Sequence, residues 1–136
     1  MKILNCLLIL SFCFIFTCYS VAKEEKLTVD VIYFHATSRC QACLTNEDFI
    51  KNTLNQSFKN ELKIEKLHLS MYNFQLEENE KLAEFYKIET QTLIISKKID
   101  GKVTQWKALD KIWEYNGDFD KFSKYVSEEI NKYLSD

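Results

Sequence analysis

The chain predicts an α/β fold, a mixed sheet flanked by helices on both faces, with elements in the order β-α-β-α-β-β-α. Three observations predict it. The run Val31-Ile32-Tyr33-Phe34 is apolar on both parities, stretches with helical periodicity alternate with strand-like ones, and Asp100-Gly101 stands between two strand-like segments.

Residues 27–36, "LTVDVIYFHA", are rich in β-branched and aromatic types, which suits a central strand covered by helices on both sides. From Cys40 to Leu62 the apolar residues Cys43, Ile50, Leu54, Phe58 and Leu62 recur every three to four positions, which predicts one amphipathic helix. "LKIEKLHLSMY", 62–72, alternates and reads as a second strand. "LEENEKLAEFYKI", 76–88, places Leu82, Phe85 and Tyr86 on one helical face, and "TLIIS", 92–96, is a compact apolar strand. Asp100-Gly101 then supplies the positive φ values that match strand twist in a hairpin. Asp110 is expected to cap a short helix running through Trp113 and stopping at Asn116-Gly117. Asp118 caps a last helix whose stripe is Phe119, Phe122, Val126, Ile130 and Tyr133.

The first residues read differently. "MKILNCLLILSFCFIFTCYSVA", 1–22, has a basic start at Lys2, an apolar run, and the small-x-small ending Ser20-Val21-Ala22, which predicts a signal peptide cleaved after Ala22. An uncleaved membrane anchor and a lipoprotein acylated at Cys18 are the alternatives, and Thr17 suits an acylated cysteine poorly. The expected mature domain is therefore 23–136, exported, with the periplasm as its compartment.

Cleavage changes the cysteine arithmetic. Cys6, Cys13 and Cys18 all lie in the leader, so the mature protein keeps only Cys40 and Cys43. In an oxidising compartment such a pair closes. A loop this small removes little entropy from the unfolded chain, so a purely structural staple is a weak reading. Removing Lys2 leaves 17 of the 18 basic residues against 20 acidic ones, a net of −3 with both signs interspersed. No block is basic enough for nucleic acid. A monomer is expected.

The chemistry concentrates in "FHATSRCQAC", 34–43. Ser38 and Gln41 form S-x-x-Q directly after the first strand, a capping box that puts Ser38 at the N-cap and Cys40 at N2. There the free N–H groups and the helix dipole favour a thiolate, the species that attacks disulfides. Cys43 follows one turn later, within reach to resolve a mixed disulfide. Arg39 is the one arginine of the chain, and a cation beside the thiol would tune it further; its bland reading is an exposed surface side chain. His35 could complete a metal site or shuttle a proton, although a histidine ending a buried strand is more often a core residue. Zinc wants four ligands; Cu(I), which accepts two thiolates, is the better metal alternative, held by Cys40, Cys43 and His35. Glu77, Glu78, Glu80, Glu128 and Glu129 read as solvated helix faces. The sequence contains neither a glycine-rich phosphate loop nor a serine-nucleophile motif.

"VIYFHATSRCQAC" and "KLAEFYKIETQTLIISKKIDGK" together resemble the thioredoxin superfamily over nearly all of the mature chain. More narrowly, "YFHATSRCQAC" with "KALDKIW" is similar to a small exported thioredoxin-like family labelled a nitrophenyl-compound nitroreductase subunit; the chain shows no flavin site, and the label is taken as a name alone. The resemblance implies a thioredoxin-like fold and a thiol–disulfide oxidoreductase needing no cofactor beyond its redox-active disulfide. Client proteins would be its partners, with an unidentified redox partner, soluble or membrane-bound, resetting the pair. Three departures stand out. Arg39 replaces the tryptophan that commonly precedes the first cysteine, in a connection one residue longer. Tyr33 or Phe34 occupies the place of the family's buried acid. Proline is absent, so Thr92, by spacing from Tyr86, or Gln91, by matching "QTLII", stands where the family's cis-proline faces the disulfide, with Thr92 favoured. That proline shapes the substrate groove and keeps metals from the thiols, so its loss keeps the Cu(I) module open beside a non-catalytic thioredoxin-like subunit of a larger complex.

Overall fold

A computed structural model of the chain describes residues 25–135, so the signal peptide expected over 1–22 lies outside the described residues. The strands are β1 (Leu27–His35), β2 (Leu67–Asn73), β3 (Thr92–Ile99) and β4 (Lys102–Ala108). The helices are α1 (Gln41–Ser57), α2 (Lys59–Lys63), α3 (Glu80–Phe85) and α4 (Phe119–Leu134), with 3-10 turns at Glu77–Asn79 and Asp110–Trp113.

The sheet runs β2-β1-β3-β4. β1 pairs parallel with β2 and antiparallel with β3, and β3 pairs antiparallel with β4, so the sheet is mixed as the sequence predicts. Every residue from Thr28 to Phe34 is buried, which places β1 at the centre. Its alternate side chains feed two different cores. Val29, Val31 and Tyr33 meet Ile50 and Leu54 of α1 and Phe122, Val126 and Ile130 of α4, whereas Ile32 and Phe34 meet Tyr86 and Ile94 beneath α3. Helices therefore lie on both faces, in a thioredoxin-like α/β arrangement. Asp100 and Gly101 have φ of 49° and 79°, the two positive values expected of the hairpin turn.

The departures have local causes. The helix expected to run unbroken to Leu62 stops at Phe58, whose backbone leaves helical geometry (φ −131°, ψ 26°) while its ring enters the main core. Seven residues later Glu65 takes a left-handed conformation (φ 55°), which ends α2 and delays β2 to Leu67. The helix expected over 76–88 shrinks to a 3-10 turn and the short α3; Leu82 and Tyr86 pack inward, but Phe85 is 52% exposed. Leu109, not Asp110, precedes the turn at Asp110–Trp113, and no side chain caps it. Asp118 does cap α4, accepting a hydrogen bond from the Lys121 N–H at 3.1 Å. Glu129 is not a solvated face: it is buried between Lys107 and Lys132 at 2.9 and 2.7 Å. His68 has a structural partner, its Nδ1 lying 3.1 Å from Asp30, which Lys98 also pairs.

Ile95 is fully buried at the centre of the main core. Ile95→Ala is expected to lower unfolding free energy in urea by about 2–5 kcal/mol. Phe85→Ala, on an exposed site, is expected to stay within about 0.5 kcal/mol of the parent.

Candidate functional site

The site forms where β1 ends. The chain leaves the sheet at His35, crosses residues 36–39 and enters α1, whose N-cap is Cys40 (φ −81°, ψ 165°). This corrects the expected cap. Ser38 is exposed and makes no capping bond, because the helix begins two residues later and the Cys40 sulfur takes the role expected of the serine oxygen. The Cys43 N–H donates to Cys40 Sγ and the Cys40 N–H to Cys43 Sγ, each at 3.3 Å, so a reciprocal box exists but is built from the two cysteines. Gln41 becomes the first helical residue, exposed, its carbonyl accepting from the Thr45 hydroxyl at 3.1 Å.

Cys40 and Cys43 are joined as a disulfide. Their surroundings differ. Cys40 is exposed at the helix end, whereas Cys43 is 1% exposed on the inward face. An attacking or attacked sulfur must be reachable, and a thiolate at Cys40 would find the Cys43 N–H already pointing at it. The N-cap position gives that anion a more direct donor than N2 would.

Arg39 is held. Its Nη1 pairs with the Glu47 carboxylate, and Glu47 also accepts from Lys51 Nζ at 2.6 Å. Burial pushes the Glu47 carboxyl up, but the Lys51 hydrogen bond and the Arg39 and Lys51 charges outweigh it and hold it below its usual value. The cation next to Cys40 is thus partly neutralised before any substrate arrives. On the sheet side, the buried Tyr33 hydroxyl donates to the Cys43 carbonyl at 3.3 Å. Burial, reinforced by the Glu47 charge, pushes the Tyr33 phenol up to about 12, so it stays a neutral donor there. Tyr33 thereby anchors the helix start.

The loop is tied from its other side as well. The Thr37 N–H donates to Gln75 Oε1 at 2.9 Å, Asn73 Nδ2 donates to Thr37 Oγ1 at 2.9 Å, and the Gln75 N–H donates to Asn73 Oδ1 at 3.0 Å. The segment after β2 therefore fixes the loop before Cys40. His35 Nδ1 lies 3.1 Å from the Ala36 carbonyl, and among the described residues no group of three His, Cys, Asp or Glu side chains is gathered that could hold a metal ion. Thr92 opens β3 opposite Phe34, at the end of the sheet from which the cysteine loop departs, and its hydroxyl donates to the Thr90 carbonyl at 2.9 Å. Gln91 keeps a shielded Oε1 with no hydrogen-bond partner among the described residues. Among the described residues there is no cis peptide bond, so the segment before β3 is trans throughout.

Glu47, Asn73 and Gln75 were not legible as site residues, since each reaches the loop across 8, 36 or 38 positions. Thr45 and Asp48, whose spacing resembles a second cap, lie inside α1 without interrupting it.

No protein-family model matches the chain, and neither does any curated protein. Among solved structures it is similar to one described as "Structure of a malarial protein", at 23% identity and a TM-score of 0.49, over 79% of this chain and 98% of that one. A likeness of that degree carries no functional information.

The Arg39–Glu47–Lys51 cluster has a defined acid limit. Because the folded-state Glu47 value lies below the ordinary one of about 4.3, its contribution is complete above that value and disappears as pH falls through the depressed one. Glu47→Gln is expected to lower stability at pH 7 and to flatten the loss of stability below about pH 4 in acid-unfolding curves. In the reduced variant the uncompensated Arg39 is expected to speed alkylation of Cys40 by iodoacetamide at pH 6, because more of the thiol ionises.

Proposed function

We propose that the chain is an exported thiol–disulfide oxidoreductase that exchanges disulfides with client proteins through Cys40 and resolves the mixed disulfide with Cys43. One observation carries the reading: an exposed sulfur at a helix N-cap, bonded to a buried sulfur one turn inward. The outer sulfur is open to a client, and the inner one is placed to close the intramolecular bond and release it. Arg39 and Glu47 tune the outer thiol, and the start of β3 at Gln91 and Thr92 lies at the end of the sheet where a client chain would dock. No cofactor is required beyond the disulfide. A redox partner in the same compartment, soluble or membrane-bound, resets the pair.

Export rests on the N-terminal segment. Cleavage after Ala22 would deliver a domain starting at Lys23 to the periplasm, and N-terminal sequencing of the protein from that fraction is expected to read KEEKL.

Cys43→Ser should strand the exchange at its first step. The variant is expected to accumulate mixed disulfides with several proteins, released by reductant and absent when Cys40 is also serine. The reduction potential of the wild-type pair is expected between roughly −270 and −120 mV, the span of working exchange proteins, and its position in that span gives the direction of electron flow. A potential below about −300 mV with no trapped client would overturn the proposal in favour of a structural bond.

A further inference from the structure

α1 carries a buried polar residue that the fold does not use. Asn46 is fully buried, and among the described residues neither its Oδ1 nor its Nδ2 finds a hydrogen-bond partner. An unpaired buried polar group is destabilising, so two such atoms on one side chain in a well-packed core are a considerable burden. Their location is informative. Cys43 and Asn46 belong to the same inward stripe of α1, three residues apart, a spacing that brings Cβ atoms to about 5–6 Å. Helical side chains lean toward the N-terminus, so the Asn46 carboxamide leans over the turn that holds Cys43.

In the disulfide, Cys43 Sγ has no proton to donate, and as half of a neutral S–S bond it is a poor acceptor. Reduction changes both properties. A buried Cys43 thiol gains an S–H that needs an acceptor, and a buried Cys43 thiolate needs a donor. An amide offers one of each. We propose that Asn46 is the hydrogen-bond partner of Cys43 in the reduced and mixed-disulfide states, its unpaired atoms in the oxidised state being the counterpart of that bond. Oδ1 accepts from the Cys43 thiol, and Nδ2 donates to the sulfur as it ionises.

The inference rests on the exchange reading and specifies its resolving step. With Cys40 bonded to a client sulfur, Cys43 attacks Cys40 Sγ. The Cys40–Cys43 bond forms, the Cys40–client bond breaks, and the electron pair leaves on the client sulfur, which takes up the proton that Cys43 gives up. Asn46 stabilises the ionised Cys43 before the attack and is left unpaired after it. Its burial thus makes the oxidised state less stable relative to the reduced one.

Two variants separate this role from packing. Asn46→Leu removes the amide while keeping the same branching and the same number of side-chain heavy atoms. Thr53→Val removes another fully buried unpartnered hydroxyl on the same helix, ten residues or about 15 Å from Cys43. Equilibrated with glutathione, Asn46→Leu is expected to favour the disulfide about tenfold over wild type, a fall of about 30 mV in potential. Thr53→Val is expected to stabilise oxidised and reduced protein alike and leave the equilibrium unmoved. If Asn46→Leu matches wild type within twofold, Asn46 is a packing residue and the inference is wrong. Should that variant not fold, the wild-type protein supplies the measurement: the Asn46 side-chain amide resonances are expected to move on reduction, and unchanged resonances overturn the proposal. The glutathione equilibrium involves no client, so trapping by Cys43→Ser can fail while the Asn46 effect stands, and the reverse.

Discussion

The burial of β1 on both faces is the constraint from which the rest of the molecule follows. A strand with seven consecutive buried residues must sit between two neighbours and beneath two layers, which fixes the sheet order and sends α1 and α4 to one side and α3 to the other. It also fixes the site. A parallel partner requires a crossover, and the crossover must begin where β1 emerges, so the N-terminus of α1 and the pair of cysteines lie at that end of the sheet by necessity. Tyr33 makes the link direct: its ring belongs to the main core, and its hydroxyl holds the Cys43 carbonyl.

The helix start shows how one local conflict is resolved in favour of chemistry. Two residues compete to cap α1. Ser38 has the better capping side chain, but the loop before Cys40 is claimed by Asn73 and Gln75, and the two sulfurs satisfy the N–H groups of Cys40 and Cys43 between them. An N-cap sulfur is a weak acceptor when oxidised and a strong one as a thiolate. The cap therefore strengthens when the disulfide opens, which couples the end of the helix to the redox state of the pair.

Periodicity recovered the elements whose burial is one-sided or complete: β1, β3, the hairpin at Asp100-Gly101, and the stripe of α4. It misplaced boundaries wherever a single residue overrode the pattern. Phe58 continues the helical spacing of apolar residues, yet its backbone leaves helical geometry while its ring is buried in the main core; Glu65 adopts a left-handed turn that no glycine or asparagine announces. At the site, the two cysteines and the more inward position of Cys43 were legible from S-R-C-Q-A-C and its place after a strand. The supporting contact at Glu47 was not, because Glu47 looks like any charge on a helix surface until Arg39 folds across to it.

The hydrogen bonds from Thr37 to Gln75 and Asn73 carry a further consequence, one of timing. They join a loop near the start of the domain to a segment that is synthesised some 36 to 38 residues later. Until β2 has docked beside β1, the loop before Cys40 lacks these ties. The donor geometry at the Cys40 sulfur thus belongs to the assembled sheet and not to the local sequence alone.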